Sequence, residues 1–303
     1  MVARKVLLMG GGGGVVGSGV LAEIAGRYPI RSYHRTPVAE ERGKVEFVPG
    51  DVTETSRFPA LLQGVTDIVN VVWYRQPGPD RLFARTSAAL QSLVEAARQN
   101  GVEHFVQISL PPAPPRLEER TPYLRRKREF ESKLLQSGLK VTLLQPSAIF
   151  ASYDRLIFAM RGLMERHRRF PLFGDGLYHL TPIWHRDVGW LVGEALEDRL
   201  GGTVLAGGPE RMTYLELLDL LRRELSLDVR WLKVSPRTGR WAVQLFNAVG
   251  WHVLYTYEYD WLLYDTLGLP APPHPDRKFL TLREFLHQLP ASDRSGSPGR
   301  GTS

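Results

Sequence analysis

Short apolar runs alternate with longer amphipathic segments along the first half of the chain. The apolar runs predict β-strands over residues 5–9, 30–34, 45–48, 67–72, 104–108 and 140–144. The segments beside them predict helices over residues 14–26, 59–63, 81–99, 121–137 and 153–167. Strands that alternate with helices are typical of a parallel sheet with right-handed crossover connections. The pattern therefore predicts an α/β fold with a doubly wound parallel sheet, whose core spans residues 1–150.

The second half of the chain has a less regular pattern. Apolar runs and capping boxes predict strands over residues 203–206 and 229–234, and helices that follow Thr213 and Thr281. We expect residues 151–290 to add further sheet and helix elements and to form a small, mixed substrate lobe. Residues 291–303 are mostly Ser, Gly, Pro and Arg, which predicts a disordered tail.

A glycine-rich turn follows the first predicted strand. Five consecutive glycines, Gly10–Gly14, are followed by Gly17 where a helix pattern opens. Glycines at such a turn let the backbone approach a pyrophosphate, and the helix N-terminus offers free N–H groups and partial positive charge. The spacing Gly11-x-x-Gly14-x-x-Gly17 thus predicts a Rossmann sheet that binds a dinucleotide. A flexible glycine linker is the weaker alternative, because linkers are not flanked by a buried strand and an apolar helix.

Composition limits the remaining classes of function. The 303 residues are 43% hydrophobic and 23% charged, and they include no cysteine, which excludes disulfides and thiolate chemistry. The eight histidines lack the spacing of metal ligands, so we expect no metal. The start of the chain does not resemble a secretory signal and no apolar run reaches transmembrane length, so we expect a cytoplasmic protein. The net charge is +7, but the basic clusters 125–128 and 161–169 have acidic neighbours, so we interpret them as solvated helix faces and expect no nucleic acid partner.

Aromatic residues crowd the stretch between Arg240 and Leu267, which includes Trp241, Trp251 and Trp261. Packing of a small lobe is the interpretation we favour. A dimer surface, a lid over an apolar substrate and a membrane-surface patch stay open as alternatives.

Tyr123 and Lys127 form a YxxxK motif in the helix between the fifth and sixth predicted strands. Residues four apart share a helix face, so a cationic Lys127 would lower the pKa of the Tyr123 phenol. A phenol so placed can donate or accept a proton during hydride transfer. The motif predicts Tyr123 and Lys127 as catalytic residues, with Lys127 also available to a cofactor ribose.

Six motifs in order carry a resemblance to a known family. They are Gly11-x-x-Gly14-x-x-Gly17, Gly50-Asp51-Val52, Val106-Gln107-Ile108-Ser109, Tyr123–Lys127 with Glu131, 141–147 and 181–188. Together they resemble the short-chain dehydrogenase/reductase superfamily over roughly residues 4 to 290. Within it the chain looks closest to the atypical members, namely the NmrA-like group and the nucleotide-binding accessory subunit of respiratory complex I.

The resemblance implies a set of cofactor contacts. Asp51 and Val52 would flank the adenine, Pro146 and Ser147 would approach the nicotinamide, and residues 181–188 would form a structural turn beside the substrate lobe. The full set of expected cofactor-binding residues is Gly11, Gly14, Val15, Val16, Gly17, His34, Arg35, Asp51, Val52, Val72, Lys127, Pro146 and Ser147.

The end of the second predicted strand bears on the choice of cofactor. NAD sites usually carry a carboxylate there to bind the ribose 2′-hydroxyl, but residues 32–36 include none. Arg35, with His34, can instead pair with a 2′-phosphate. We therefore favour NADP, with NAD as the alternative.

The chain departs from the family pattern after the fifth strand. Ser109 is the candidate catalytic serine, but the hydroxyl expected just beyond it is replaced by residues of the proline-rich run 110–115. The sequence favours an NADPH-dependent oxidoreductase that acts on a small carbonyl or alcohol substrate. The alternative is a non-catalytic redox sensor or an accessory or assembly protein, with a protein partner or a homo-oligomer.

Overall fold

A computed structural model describes residues 4–35, 45–73, 80–152, 157–250, 254–272 and 277–289. The strands are β1 (Val6–Met9), β2 (Ile30–His34), β3 (Val45–Pro49), β4 (Asp67–Asn70), β5 (His104–Ile108), β6 (Lys140–Pro146), β7 (Ile149–Phe150), β8 (Arg169–Phe173), β9 (His179–Leu180), β10 (Ile183–Trp184), β11 (Gly202–Ala206), β12 (Met212–Thr213) and β13 (Arg230–Val234). The helices are α1 (Val15–Ile24), α2 (Phe58–Leu61), α3 (Asp80–Gln99), α4 (Pro115–Arg120), α5 (Pro122–Leu135), α6 (Ile157–His167), α7 (His185–Glu197), α8 (Tyr214–Glu224), α9 (Pro236–Ala248), α10 (Thr256–Leu262) and α11 (Leu282–Gln288).

Seven strands form one parallel sheet in the order β11-β6-β5-β4-β1-β2-β3. The run from β3 through β1 to β6 has the doubly wound order of a dinucleotide-binding sheet. The predicted α/β class is thereby confirmed. Strand β4 ends earlier than predicted because the side chain of Asn70 accepts a hydrogen bond from the Val72 backbone N–H at 3.1 Å, which turns the chain.

The chain divides into two compact units. Unit 1 comprises Met1–Pro146 and His185–Ala206, and unit 2 comprises Ser147–Trp184 and Gly207–Ser303. The sequence placed the end of the first domain at residue 150, whereas the structure also includes α7 and β11 in unit 1. Unit 1 therefore completes its sheet with a strand that lies some 56 residues along the chain from β6, counting from Pro146 to Gly202.

Helix α7 was not predicted, and its glycines explain why. A Cβ on Gly189 would lie 2.1 Å from the carbonyl oxygen of Gly19 in α1, and a Cβ on Gly19 would lie 2.1 Å from that of His185. The two helices thus touch backbone to backbone, which only glycine permits. Glycine is a poor helix former, so the residues that allow this contact also weaken the helix signal in the sequence.

The central strands of the sheet in unit 1, β1, β4 and β5, are buried on both faces. Leu7 and Met9 of β1 belong to a core cluster with Leu90 of α3 and Phe130 of α5. Side chains alternate along a strand, so the neighbouring residues of β1 point to the opposite face, where they are equally buried. This double burial explains the continuous apolar run that identified β1.

Unit 2 has its own core, built from α6, α8 and α11. Both predicted capping boxes are present, since Thr213 and Thr281 each accept from the backbone N–H of the glutamate three residues later. Helices α4, α9 and α10 were not predicted. The predicted tail, 291–303, lies outside the described residues. Among the residues that the structure describes, no helix is long and apolar enough to cross a membrane.

Candidate functional site

The turn between β1 and α1 has the geometry that the glycine motif predicts. Gly10 and Gly11 have positive φ angles of 102° and 40°. A Cβ on Gly11 would lie 1.9 Å from the ring of His34, and one on Gly17 would lie 1.8 Å from the carbonyl oxygen of Gly11. The turn is therefore as tight as the backbone allows, and it requires glycine at these positions.

The N-terminus of α1 is open. Gly14 is its N-cap residue and makes no side-chain capping hydrogen bond, and the first turn carries no acidic residue. A Cβ on Gly14 would meet no heavy atom within 4 Å. Val15 and Val16, the first helical residues, are half-buried. Uncapped backbone N–H groups at the positive end of a helix suit a phosphate. The turn at residues 10–14 and the N-terminus of α1, together called the glycine cradle, therefore fit the diphosphate of a dinucleotide.

The end of β2 brings positive charge beside this turn. His34 packs edge-on against Phe47, with ring centroids 4.9 Å apart, and the next residue, Arg35, is exposed. Since no carboxylate follows on β2 within the described part of the chain, the strand end presents an imidazole and a guanidinium. This arrangement suits a phosphate better than a neutral hydroxyl.

Asp51 is held in a tight local turn. Its Oδ1 accepts from the backbone N–H and the hydroxyl of Thr53, at 3.0 and 2.8 Å. The backbone hydrogen bond lowers the pKa of Asp51 most, and the charges of Arg35 and Arg85 lower it further. Arg85, which donates to the Thr53 hydroxyl at 3.3 Å, was missed in the sequence because nothing distinguishes it from other arginines on α3.

Four other expected cofactor residues have mainly structural surroundings. The side chain of Val52 belongs to the core, and Val72 packs against it. Pro146 is buried at the end of β6, and in unit 2 the hydroxyl of Ser147 donates to the Leu267 carbonyl at 2.6 Å. Their assignment as cofactor contacts stays a prediction.

Lys127 is enclosed by protein. Its Nζ donates to the carbonyl of Ile108 at 3.0 Å and lies 3.6 Å from Oε1 of Glu131. The same Nζ lies 4.8 Å from the ring centroid of Trp73. The residue is 2% exposed, and burial lowers its pKa to about 8. The amine is thus less firmly protonated than an ordinary lysine.

Tyr123 lies on the same helix face, as the spacing requires. Its ring packs edge-on against Phe83, at 5.6 Å between centroids, and against Trp73, at 6.3 Å. The residue is 6% exposed. The structure therefore brings Tyr123 and Lys127 together around Trp73, a residue that the sequence analysis did not identify.

Arg128 is the third residue that was missed. Its Nη1 donates to the Ser109 hydroxyl at 3.1 Å and to Oε2 of Glu131 at 2.8 Å, and its Nη2 donates to the Pro111 carbonyl at 2.7 Å. One guanidinium thus holds the candidate serine, a buried carboxylate and the proline-rich run. In the sequence Arg128 is one of four consecutive basic residues, and these were interpreted as a solvated helix face. That interpretation suits Arg126, which pairs with Asp80 at the surface.

No group of three or more His, Asp or Glu side chains in the described ranges could hold a metal ion.

Comparison with known proteins agrees with this geometry. A family model described as NAD(P)H-binding matches residues 11–155. NADH dehydrogenase (ubiquinone) 1 alpha subcomplex subunit 9, a mitochondrial protein of Arabidopsis thaliana, is 26% identical over 142 residues. The aligned part is 46% of this chain and 35% of the relative, so the match spans about a third of that relative's length.

Solved structures share the fold. A nucleoside-diphosphate-sugar epimerase from Staphylococcus aureus matches with a TM-score of 0.72 at 16% identity, over 94% of this chain and 100% of the epimerase. MoeE5 in complex with UDP-glucose and NAD matches with a TM-score of 0.63 at 20% identity, over 78% and 86% of the two chains. Residues 11–155 therefore match a model of an NAD(P)H-binding domain, and the solved structures show that the chain shares their Rossmann-like fold.

Proposed function

We propose that unit 1 binds NADP(H) at the turn between β1 and α1. The observation that carries this proposal is the uncapped N-terminus of α1, where the space beside Gly14 is open and the strand end bearing Arg35 is nearby in the sheet. The N–H groups of α1 would hold the diphosphate, and Arg35 would pair with the 2′-phosphate. Asp51 would lie near the adenine, with Arg85 beside it.

Arg35→Ala is expected to remove the preference for NADP(H) over NAD(H). A charge-assisted hydrogen bond contributes about 1.5–3 kcal/mol, so the Kd for NADPH should rise roughly tenfold to hundredfold while that for NADH barely changes. Thermal-shift titrations with all four nucleotides measure this, because a ligand of the native state raises Tm by mass action.

Arg98→Ala is the matched control for this titration. Arg98 is an exposed arginine near the C-terminus of α3, and it pairs with Glu95 at the surface. Its loss changes the net charge equally without touching the end of β2. A preference for NADP(H) that survives in Arg35→Ala would refute the assignment of Arg35.

The surroundings of the catalytic candidates favour a non-catalytic role, as a redox sensor or an accessory protein. A general acid must come within hydrogen-bond reach of the substrate. The Ser109 hydroxyl is held by Arg128, Lys127 is enclosed, and Tyr123 packs among aromatic rings. This supports dinucleotide binding without carbonyl reduction over the oxidoreductase that the sequence favoured.

Turnover assays separate these two functions. With NADPH and a panel of small aldehydes and ketones, followed by loss of nicotinamide absorbance, we expect saturable NADPH binding and no consumption. A bound nicotinamide supplies a hydride donor, and in the oxidoreductase Tyr123 would deliver the proton. NADPH consumption that Tyr123→Phe lowers strongly and Lys127→Ala abolishes would therefore establish the enzyme instead.

A further inference from the structure

Helix α9 of unit 2 is mostly exposed. Among its residues, only Gly239 and Val243 are buried. Trp241 is 64% exposed and Leu245 is 47% exposed, and Val249, the C-cap residue, is 71% exposed. Residues four apart share a helix face, so these three side chains form one continuous apolar strip.

This concentration of apolar surface is unusual within the chain. Ten large hydrophobic residues are exposed in the described ranges, and four of them lie between 241 and 249. Singly exposed apolar side chains are ordinary, but a contiguous patch marks a surface that contacts something apolar.

The charge around the strip has one sign. No acidic residue occurs between Asp228 and Glu258, and the four charged residues in that stretch are Arg230, Lys233, Arg237 and Arg240. Arg237 lies one turn before Trp241, so a cation borders the apolar strip. Arg240 pairs with Asp260 at 2.8 Å, which leaves the basic character of α9 to Arg237.

We propose that α9 docks unit 2 on an anionic lipid bilayer surface. An amphipathic helix that combines Trp and Leu with basic residues lies in the membrane interface, where its apolar side chains enter the acyl boundary and its cations meet lipid phosphates. A tryptophan suits this boundary because its ring is apolar and its N–H is polar.

The positive charge of α9 favours an anionic lipid surface over a second copy of the chain as the binding partner. Two copies of α9 packed in parallel through their apolar strips would bring the two Arg237 side chains together, and α9 contains no carboxylate to pair with them. An anionic bilayer instead provides negative charge along the whole strip. Binding should therefore weaken as salt is raised, because exposed charges are screened.

Vesicle flotation of the full chain tests this docking. The vesicles contain phosphatidylcholine alone or phosphatidylcholine mixed with phosphatidylglycerol, and no nucleotide is needed. We expect the protein to float with the anionic vesicles and to be released by salt. The combined substitution Trp241→Ser with Leu245→Ser should weaken binding at least about tenfold, and Arg237→Gln should weaken it less.

Leu135→Ser is the matched control for the flotation assay. Leu135 of α5 is 48% exposed, nearly the same as Leu245, and lies in unit 1. Binding that survives the loss of Trp241 and Leu245, or that is equal on neutral vesicles, overturns the proposal. So does a dimer that these substitutions convert to monomer. Should the double variant fail to fold, Arg237→Gln and the salt dependence decide the outcome.

Discussion

Gly17→Ala is expected to abolish dinucleotide binding and to destabilise unit 1. The new methyl group would lie 1.8 Å from the Gly11 carbonyl oxygen, which is backbone and has no rotamer to change. The turn and α1 must then move apart, at a cost of about 1–3 kcal/mol or more for overpacking. Isothermal titration with NADPH and a thermal melt measure the two effects together.

Two further glycine substitutions separate binding from folding. A Cβ on Gly14 or on Gly26, which follows α1, would meet no heavy atom within 4 Å, and neither residue has a positive φ. Both alanine variants should keep the wild-type Tm. Only Gly14→Ala should weaken NADPH binding, because its methyl group fills the space assigned to the diphosphate. Wild-type affinity in Gly17→Ala would contradict the turn as the binding site.

The parts of the fold that the sequence predicted depend on residues that lie close together in the chain. A strand buried on both faces is mostly apolar, so the apolar run of β1 predicted its bounds to within one residue. The turn at Gly11 and Gly17 was predicted because only glycine fits at these two positions. Capping boxes at Thr213 and Thr281 are equally local, since each is completed within three residues.

The parts that were missed depend on contacts between distant segments. Position 189 requires glycine because Gly19, some 170 residues earlier in the chain, lies against it. Arg128 differs from Arg126 only in the groups that the fold brings to it, namely Ser109 and Pro111. Helical spacing alone does not distinguish a buried guanidinium from a solvated one.

The same distinction between local features and distant contacts applies to the candidate site. The glycine cradle and the pairing of Tyr123 with Lys127 on one helix face were predicted, because both depend on spacing along the chain. Their enclosure was not, since it depends on Trp73, which approaches from the end of β4. The cytoplasmic location and the protein partner stay predictions from the sequence.

Arg128→Met is expected to be among the most destabilising substitutions on α5. Glu131 is 3% exposed, its Oε2 accepts from Arg128, and its Oε1 has no hydrogen-bond partner among the described residues. Removing the guanidinium leaves this carboxylate buried beside Lys127 alone, which costs about 3–5 kcal/mol. It also releases the Pro111 carbonyl. Unfolding in urea measures the loss.

Arg126→Met is the matched control, because Arg126 lies on the same helix and also pairs with two carboxylates, those of Asp80 and Glu129. Its pairs are exposed, so the expected cost is about 0–1 kcal/mol. Adding Glu131→Leu to Arg128→Met should recover part of the lost stability, because the uncompensated charge is then gone. If Arg128→Met costs no more than Arg126→Met, the buried network around Glu131 does not stabilise unit 1.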